Sequence, residues 1–142
     1  MLSIIIPARN EEENLKNIFY YFKEAMNNLD YGIVFVNDFS TDNTMIKAKK
    51  LFGPHKNFKI YDNKKKGLGG AINLGIEKSN GSKIAIMMAD LSDDINDLII
   101  YNKLLDKENL DAVLGSRFMQ NSKIEGYPIK KLILNRIFNF FV

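Results

Sequence analysis

The segment LSIIIPARNEEENL, residues 2–15, decides the fold more than any other part of the sequence. Its first half is a short β-branched run that ends at Pro7, which is typical of a buried strand. Asn10 and the three glutamates after it form a capping-box pattern, which predicts a helix over residues 11–29. A buried strand followed directly by a helix is the first half of a βαβ unit.

The same alternation of strand and helix continues along the chain. Buried strands are predicted at residues 2–7, 32–37, 58–61, 83–88 and 111–115. Further helices are predicted at residues 43–52, 71–78 and 93–105. This pattern favours a mostly parallel sheet that helices cover on both faces. Because no repeat or linker interrupts it, we predict a single domain over residues 1–142.

Composition excludes several classes of protein. The chain has 142 residues, 46% hydrophobic and 26% charged, which is ordinary for one globular domain and not for a disordered tail or a polytopic membrane protein. It contains no cysteine, so disulfides and thiolate metal sites are excluded. Its single histidine, His55, is interpreted as a surface residue and leaves little from which to build a histidine zinc site or a catalytic triad.

The net charge of +3 is distributed unevenly. Residues 1–115 have a net charge of −1, whereas residues 116–142 have a net charge of +4. The overall charge is too small to indicate nucleic acid as a partner. The basic C-terminal stretch instead predicts an anionic partner, either a phosphate group or a membrane surface. The first residues lack a basic leader, and no window approaches the ~20 apolar residues of a spanning helix.

Polar residues follow the predicted strands at the points where these end. Four such groups occur, at residues 7–11, 37–40, 89–94 and 116–117. In an open α/β sheet, ligands bind beyond the carboxyl ends of the strands. Carboxylates there suit a metal ion, and helix N-termini suit a diphosphate. Glutamates and aspartates in the first turn of a helix also stabilise that helix end. Residues 11–13 and 93–94 are therefore either helix caps or part of a ligand site. Asp90 precedes the helix and has no such role, which favours a functional carboxylate; Arg117 suits an anionic ligand or a salt bridge.

The stretch KKKGLGGA, residues 64–71, is glycine-rich and basic. It fails as a dinucleotide fingerprint because Ile72 occupies the last glycine position, and it lacks the Gly-Lys-Ser/Thr end of a P-loop. A lysine run is often only a solvated surface, but the glycines here allow the backbone to approach a ligand closely. Both interpretations remain open.

Five segments together resemble the family 2 glycosyltransferases. They are SIIIPARNEEENL, VNDFSTDNT, KKKGLGGAINLG, MMADLSDD and VLGSRF, and they occur in the family's order over nearly the whole chain. The resemblance is strongest to the branch that contains the dolichyl- and polyprenyl-phosphate mannosyl- or glucosyltransferases. It implies the GT-A fold, a Rossmann-like three-layer α/β/α sandwich with a mostly parallel central sheet.

The resemblance also implies a set of site residues. A nucleotide site would be formed by Pro7, Ala8, Glu11, Asp38, Lys66, Gly69 and Ala89. Asp90 and Ser92 would hold a divalent Mg²⁺ or Mn²⁺ ion, with Asp90, Arg117 and Asp93 in catalytic roles. Met88 departs from the family, because the first acid of an Asp-x-Asp metal motif is usual there. Magnesium accepts one or two carboxylates together with substrate phosphates, so this loss need not abolish binding.

The implied function is inverting transfer of a sugar from a GDP- or UDP-linked donor to a polyprenyl phosphate or a glycan. A glycan hydroxyl would require a general base, for which Asp93 and Asp94 are candidates. One alternative is a nucleotidyltransferase on a related sheet, although the expected glycine-rich loop after the first strand is missing. Another is a non-catalytic nucleotide-binding or membrane-docking module, which Met88 would suit. The implied location is cytoplasmic, peripheral on the cytoplasmic face of the membrane.

The last stretch, residues 128–142, predicts an amphipathic helix. Lys130, Lys131 and Arg136 with apolar flanks fit a helix that lies on anionic lipid. A core helix that packs on further protein is the alternative, because the sequence ends without a polar cap and we expect it to be truncated.

Overall fold

The computed structural model describes residues 1–26 and 29–115. Four strands and four helices alternate within Met1–Asp111, the first of the two units into which the chain divides. The strands are β1 (Leu2–Ala8), β2 (Tyr31–Asn37), β3 (Phe58–Asp62) and β4 (Lys83–Ile86). The helices are α1 (Leu15–Ala25), α2 (Thr44–Phe52), α3 (Leu68–Lys78) and α4 (Ile95–Lys107).

The four strands form one parallel sheet in the order β3-β2-β1-β4. β1 lies in the interior of the sheet and is buried at all seven positions, as its β-branched run predicts. In register, Ile4 lies opposite Ile33, and Ala8 lies opposite Asn37. Since all strands run the same way, the residues that follow them emerge at one edge, the carboxyl edge.

Helices cover both faces, which confirms the predicted three-layer α/β/α sandwich. On one face, alternate residues of β1 and β2 join side chains of α1, α2 and α4 in a large cluster that includes Ile4, Phe22, Phe35, Phe52 and Ile95. On the other face, Val34 and Val36 pack with Ala71 and Leu74 of α3 in a small cluster. We call these the large-cluster face and the small-cluster face.

Glycine sets the distance between α3 and the sheet. A Cβ on Gly75 would collide with the side chain of Ile5, so the helix approaches β1 closely only because this position lacks one. His55 lies before β3, at the end of the sheet opposite the carboxyl edge. It is half-buried, and its ring is tilted by 48° against that of Phe19, with the ring centroids 4.7 Å apart.

The predicted fifth strand at residues 111–115 is wrong, since these residues have no regular secondary structure. The run contains only three consecutive apolar residues, and a strand is stabilised by pairing with a neighbour rather than by its composition. The predicted helix starts also shift. α1 begins at Leu15 and not after Asn10, because Asn10 has a φ of 57° and its side chain bonds to Thr41 instead of capping the helix.

α3 begins earlier than predicted, at Leu68 instead of residue 71. Gly67 provides the turn by itself, with a φ of 112° that other residues rarely adopt, so Gly69 and Gly70 already belong to the first helical turn. β4 ends at Ile86, two residues before its predicted end, and α4 runs over Ile95–Lys107.

Candidate functional site at the carboxyl edge

The loops after β1 and β2 are bonded to each other at the carboxyl edge. The backbone N–H of Asn10 donates to Ser40 Oγ at 3.0 Å, and that of Thr41 donates to Asn10 Oδ1 at 2.8 Å. The N–H of Glu11 donates to the buried hydroxyl of Thr44 at 2.8 Å. These bonds join segments about 30 residues apart and fix the shape of the edge.

A second layer of polar contacts supports these loops. Glu12 accepts from the N–H of Asn43 and forms an ion pair with Lys47 at 3.1 Å, and the contact with Lys47 is the main cause that lowers the pKa of Glu12. Asp42 accepts from both the N–H and the hydroxyl of Thr44. Burial acts to raise the pKa of Asp42, but these hydrogen bonds outweigh it and the pKa is lowered.

The predicted site residues of β1 lie at the end of that strand. Pro7 and Ala8 are buried, and the carbonyl oxygen of Ala8 accepts from the N–H of Asp38 at 2.8 Å. Glu11 is half-buried, and its carboxylate accepts from the side-chain amide of Asn14 at 2.7 Å. Backbone and side chain of Glu11 are thus both engaged within the protein.

Asp38 ties the end of β2 to the start of α3. Its carboxylate is 6% exposed and accepts from the N–H of Gly67, at 2.9 Å to Oδ1 and 3.1 Å to Oδ2. The side-chain amide of Asn63 donates to Oδ1 at 2.8 Å. Sequence analysis missed Asn63, although its position directly after β3 was a signal of the same kind that indicated the residues after the other strands.

Lys66 and Gly69 lie close to this connection. Lys66 is exposed and directly precedes Gly67, while Gly69 is in the first turn of α3 with no atom within 4 Å of where a Cβ would be. The N-terminus of a helix carries partial positive charge, so an exposed lysine here adds to a potential that favours anions.

The loop between β4 and α4 presents one exposed carboxylate. Asp90 is exposed, and its Oδ1 accepts from the N–H of Ser92 at 3.0 Å. Within the described residues no hydrogen bond reaches its Oδ2. Asp93 folds back on the loop instead, since its Oδ2 accepts from the N–H of Met88 at 2.8 Å. Ala89 is 2% exposed and anchors the loop to the large cluster.

α4 begins with a cap that sequence analysis assigned only in part. Asp94 is the capping residue, and its Oδ1 accepts from the N–H of Asn96 at 2.8 Å. The hydroxyl of Tyr21 on α1 donates to the same oxygen at 3.2 Å and accepts from the N–H of Ile95 at 3.3 Å. Tyr21 therefore links α1 to the loop that carries Asp90, which no local sequence pattern indicates.

Some predicted features fall outside the described residues. These are Arg117 and the amphipathic helix at residues 128–142. Among residues 1–26 and 29–115, no three side chains of Asp, Glu, His or Cys are grouped so as to hold a metal ion. In the same part of the chain, no helix has the length and apolar character needed to cross a membrane.

Solved structures share this fold. The Staphylococcus aureus protein TarS, crystallised with UDP-GlcNAc, superposes on this chain with a TM-score of 0.62 at 20% identity. The match covers 76% of this chain and 32% of the TarS chain. The mannosyltransferase PcManGT from Pyrobaculum calidifontis, in complex with GDP-Man and Mn²⁺, gives a TM-score of 0.58 at 21% identity, over 73% of this chain and 32% of its own. The fold is that of the GT-A glycosyltransferases.

Sequence similarity extends this assignment to a family. Residues 3–141 match glycosyl transferase family 2. The dolichol-phosphate mannosyltransferase of Pyrococcus furiosus is 33% identical over 137 residues, which is 95% of this chain and 38% of that protein. The chain belongs to glycosyl transferase family 2, and it spans well under half the length of this relative.

Proposed function

We propose that this domain transfers a sugar from a nucleotide-sugar to a polyprenyl phosphate, with inversion at the sugar. The observation that carries the proposal is the 33% identity, over 95% of the chain, to a dolichol-phosphate mannosyltransferase. The carboxyl edge supports it, because an exposed carboxylate, a lysine and a helix N-terminus lie on one edge of a GT-A sheet. The donor would be linked to GDP or UDP.

The donor would lie across the carboxyl edge. Pro7, Ala8, Glu11, Asp38 and Ala89 would form or support the nucleotide pocket, and Lys66 and Gly69 would face the diphosphate. A lysine beside the N-terminus of α3 stabilises negative charge as it develops on the leaving nucleoside diphosphate. Arg117 would contribute a second positive charge, as expected from the sequence.

Asp90 and Ser92 would hold a divalent metal ion. The residues fit, since Asp90 is exposed and its Oδ2 accepts no hydrogen bond from residues 1–26 and 29–115. Mg²⁺ or Mn²⁺ binds readily to one or two carboxylates plus substrate phosphates and water. Such an ion supplies a Lewis acid that neutralises the leaving diphosphate. Met88 contributes no carboxylate, so most of the remaining ligands would come from the donor and from water.

The acceptor decides whether a general base is needed. A polyprenyl phosphate is largely ionised near neutral pH, because the second pKa of a phosphate monoester is about 6. Its oxygen attacks C1 of the sugar as the bond to the diphosphate breaks, and no proton has to be removed. With a glycan acceptor Asp93 is better available than Asp94, because Asp94 caps α4 and also binds Tyr21.

A lipid acceptor would place the domain at the cytoplasmic membrane surface. The basic residues Lys130, Lys131 and Arg136 would each contribute about 1 kcal/mol to binding of anionic lipid. The chain should then sediment with anionic vesicles and be released by salt. Binding that ignores salt and the replacement of these three residues by Gln would contradict an electrostatic membrane contact.

A non-catalytic module is the second candidate, and Met88 favours it. Such a module would keep the nucleotide pocket without turnover. Changing Met88→Asp would restore a second acid and should tighten Mn²⁺ binding if the motif is aligned correctly. Weaker binding in that variant would mean that the surroundings of residue 88 do not suit a carboxylate.

Titration calorimetry with GDP and UDP, with and without Mn²⁺, tests the proposal. We expect one nucleotide to bind more tightly with Mn²⁺, and Asp90→Ala to abolish this increment without loss of the fold. The matched control is Asp30→Ala, which removes an exposed carboxylate before β2, at the opposite edge.

The outcomes separate the candidates. Equal affinity in Asp90→Ala and the parent would contradict the metal assignment. Nucleotide binding without sugar transfer from GDP-mannose or UDP-glucose to polyprenyl phosphate would favour the non-catalytic module. Absence of any nucleotide binding would overturn both.

A further inference from the structure

We propose that Tyr21 is a positioning residue: through its hydroxyl, α1 holds the Asp90 loop, residues 87–94, in the shape that presents the Asp90 carboxylate to a divalent metal ion. This deepens the proposed function and rests on it. Tyr21 acts through the loop, because its hydroxyl bonds to the last residue of the loop and not to Asp90 itself.

The Asp90 loop is attached to the sheet at one end and to α1 at the other. At the first end, the N–H of Met87 donates to the carbonyl of Ile5 in β1 at 3.0 Å. At the other end, the hydroxyl of Tyr21 donates to Asp94 Oδ1 at 3.2 Å and accepts from the N–H of Ile95 at 3.3 Å. One hydroxyl thus binds both the end of the loop and the start of α4.

No second side chain provides this attachment. Within residues 1–26 and 29–115, Tyr21 is the one side chain from outside the loop and α4 that forms a hydrogen bond with the loop. The other side-chain bonds of the loop lie within it or come from Asn96 in the first turn of α4. Loss of the Tyr21 hydroxyl would therefore remove the polar contact between α1 and the loop.

A bond inside the loop transmits this contact to Asp90. Asp93 Oδ2 accepts from the N–H of Met88 at 2.8 Å, which closes the chain around Asp90. Asp90 Oδ1 in turn accepts a backbone N–H of the same closed segment at 3.0 Å. Because Asp93 is next to Asp94, the residue that Tyr21 holds, a shift of the Tyr21 contact moves one side of this segment.

Leu91 indicates that the surroundings impose the shape of the loop. Its φ is 59°, a left-handed conformation that residues other than glycine rarely adopt and that persists only where neighbouring contacts hold it. The side chain of Leu91 is half-buried and packs on the large cluster, as does that of Tyr21. Both side chains also line a recess of about 250 Å³ between α1 and the loop. The ring and the hydroxyl of Tyr21 therefore both lie where they support the loop.

α1 also begins beside the proposed nucleotide pocket. The helix starts at Leu15, and the side chain of Asn14 at its N-cap donates to Glu11 at 2.7 Å. One helix thus contacts the loop proposed for the nucleotide at its N-terminus and the loop proposed for the metal through Tyr21. Because the donor's phosphates and Asp90 would share one ion, the spacing of these two loops sets how much the ion adds to nucleotide affinity.

Tyr21→Phe tests the inference, since it removes only the hydroxyl. Titration calorimetry gives the dissociation constant of GDP or UDP, whichever the parent binds, with and without Mn²⁺. We expect Tyr21→Phe to weaken binding about tenfold with Mn²⁺, as is usual for supporting contacts at metal sites, and to leave binding without Mn²⁺ unchanged. A residue that only stabilised the fold would lower the melting temperature and leave the gain from Mn²⁺ intact. An unchanged gain would overturn the inference.

Tyr20→Phe is the matched control. It removes the same hydroxyl from the neighbouring residue of α1 and from the same recess, where Tyr20 is 56% exposed. In the part of the chain that the structure describes, the Tyr20 hydroxyl forms no hydrogen bond, so affinity should stay unchanged with and without Mn²⁺. An equal loss in Tyr20→Phe and Tyr21→Phe would overturn the inference, because the loss would then not come from the bond to Asp94.

Hydrogen exchange of the Met88 amide gives a readout without nucleotide or metal. This amide donates to Asp93 and not to Tyr21, so its exchange reports whether the whole loop loosens. It should be at least threefold faster in Tyr21→Phe than in the parent, and unchanged in Tyr20→Phe. If only the Ile95 amide, which loses its acceptor, exchanges faster, the effect is confined to the start of α4 and the inference is wrong.

The same two measurements separate this inference from the proposed function. A faster Met88 amide in Tyr21→Phe, in a protein whose nucleotide affinity Mn²⁺ does not raise, would support the attachment of the loop by Tyr21 and overturn only the metal assignment. A parent whose affinity Mn²⁺ raises, with the same rise in Tyr21→Phe, would support the metal assignment and overturn the role of Tyr21.

Discussion

The two faces of the sheet are stabilised in different ways. On the large-cluster face, three helices bury an aromatic group in which the rings of Phe52 and Phe58 stack at 4.9 Å, and that of Phe35 meets Phe52 at 5.4 Å. On the small-cluster face, α3 is the one helix among the described residues that packs on Val34 and Val36, and Ile84 and Ile86 of β4 are 43% and 47% exposed. Most of the apolar burial therefore stabilises the fold from one side.

The difference extends to the carboxyl edge. Above the large cluster, the loops after β1 and β2 are joined through Asn10, Glu11 and Thr44. Above the small cluster, Asp38 and Asn63 hold the lysine turn, residues 64–67. The small-cluster face thus carries the turn that we propose for the diphosphate. Hydrogen bonds hold the chain in place there, whereas apolar packing does so on the large-cluster face.

Removing an aromatic ring from the large cluster should have the largest effect. Phe52 is fully buried, and Phe52→Ala is expected to lower the free energy of unfolding by about 3–5 kcal/mol, because it deletes the ring and leaves a cavity. Urea denaturation measures this. Phe39→Ala is the control, because Phe39 is 45% exposed and should cost less than about 0.5 kcal/mol. Similar losses of free energy of unfolding in Phe52→Ala and Phe39→Ala would show that the large cluster does not dominate stability.

Thr44→Val tests the polar junction above the large cluster. The change keeps the shape of a fully buried side chain but leaves the N–H of Glu11 without its acceptor. It also removes the hydroxyl's bond to Asp42 Oδ1, which still accepts from the backbone N–H of residue 44. We expect a loss of about 1–3 kcal/mol in the free energy of unfolding. Thr41→Val, at an exposed position of the same loop, should change it by less than about 0.5 kcal/mol. If Thr44→Val leaves the free energy of unfolding unchanged, water must replace both hydrogen bonds of the hydroxyl.

Two glycines of α3 test how closely this helix packs on the small-cluster face. Gly75→Ala places a methyl group against Ile5, and its overpacking cost should exceed the gain in helix propensity, for a net loss of about 1 kcal/mol. Gly69→Ala meets no neighbouring atom and should be neutral or stabilising by up to about 1 kcal/mol. Thermal unfolding of both variants gives the comparison. Equal melting temperatures would show that α3 can shift away from the sheet at little cost.

The smallest expected effect is a pH dependence that comes from Asp42. Because its pKa is lowered in the folded state, its contribution to stability is present above its ordinary value of 3.8 and is lost as the pH falls through the lowered pKa. The stability difference between the parent and Asp42→Asn should therefore be constant near neutral pH and shrink in acid. Urea midpoints between about pH 2.5 and 7 would show this. Parallel curves over that range would contradict it.

The sequence predicted the four strands of the sheet and the helices between them. Runs such as residues 2–7 and 32–37 are apolar because a parallel strand is buried on both faces, and this signal is local. It also placed Asp38 and Asp90 at the carboxyl edge, since parallel strands end on one side. The strand predicted at residues 111–115 is wrong, because a few consecutive apolar residues do not by themselves provide a neighbouring strand with which to form hydrogen bonds.

Only the tertiary structure decided what the polar side chains at that edge do. Asn10 has the sequence signature of a helix cap, yet its side chain bonds to Thr41, 31 residues away. Asp38 has the position of a ligand contact, and its carboxylate also accepts from the N–H of Gly67, 29 residues away, which no local pattern indicates. A local pattern records which residues are buried and which are polar, whereas the partner of a polar group depends on which distant segment the fold brings beside it.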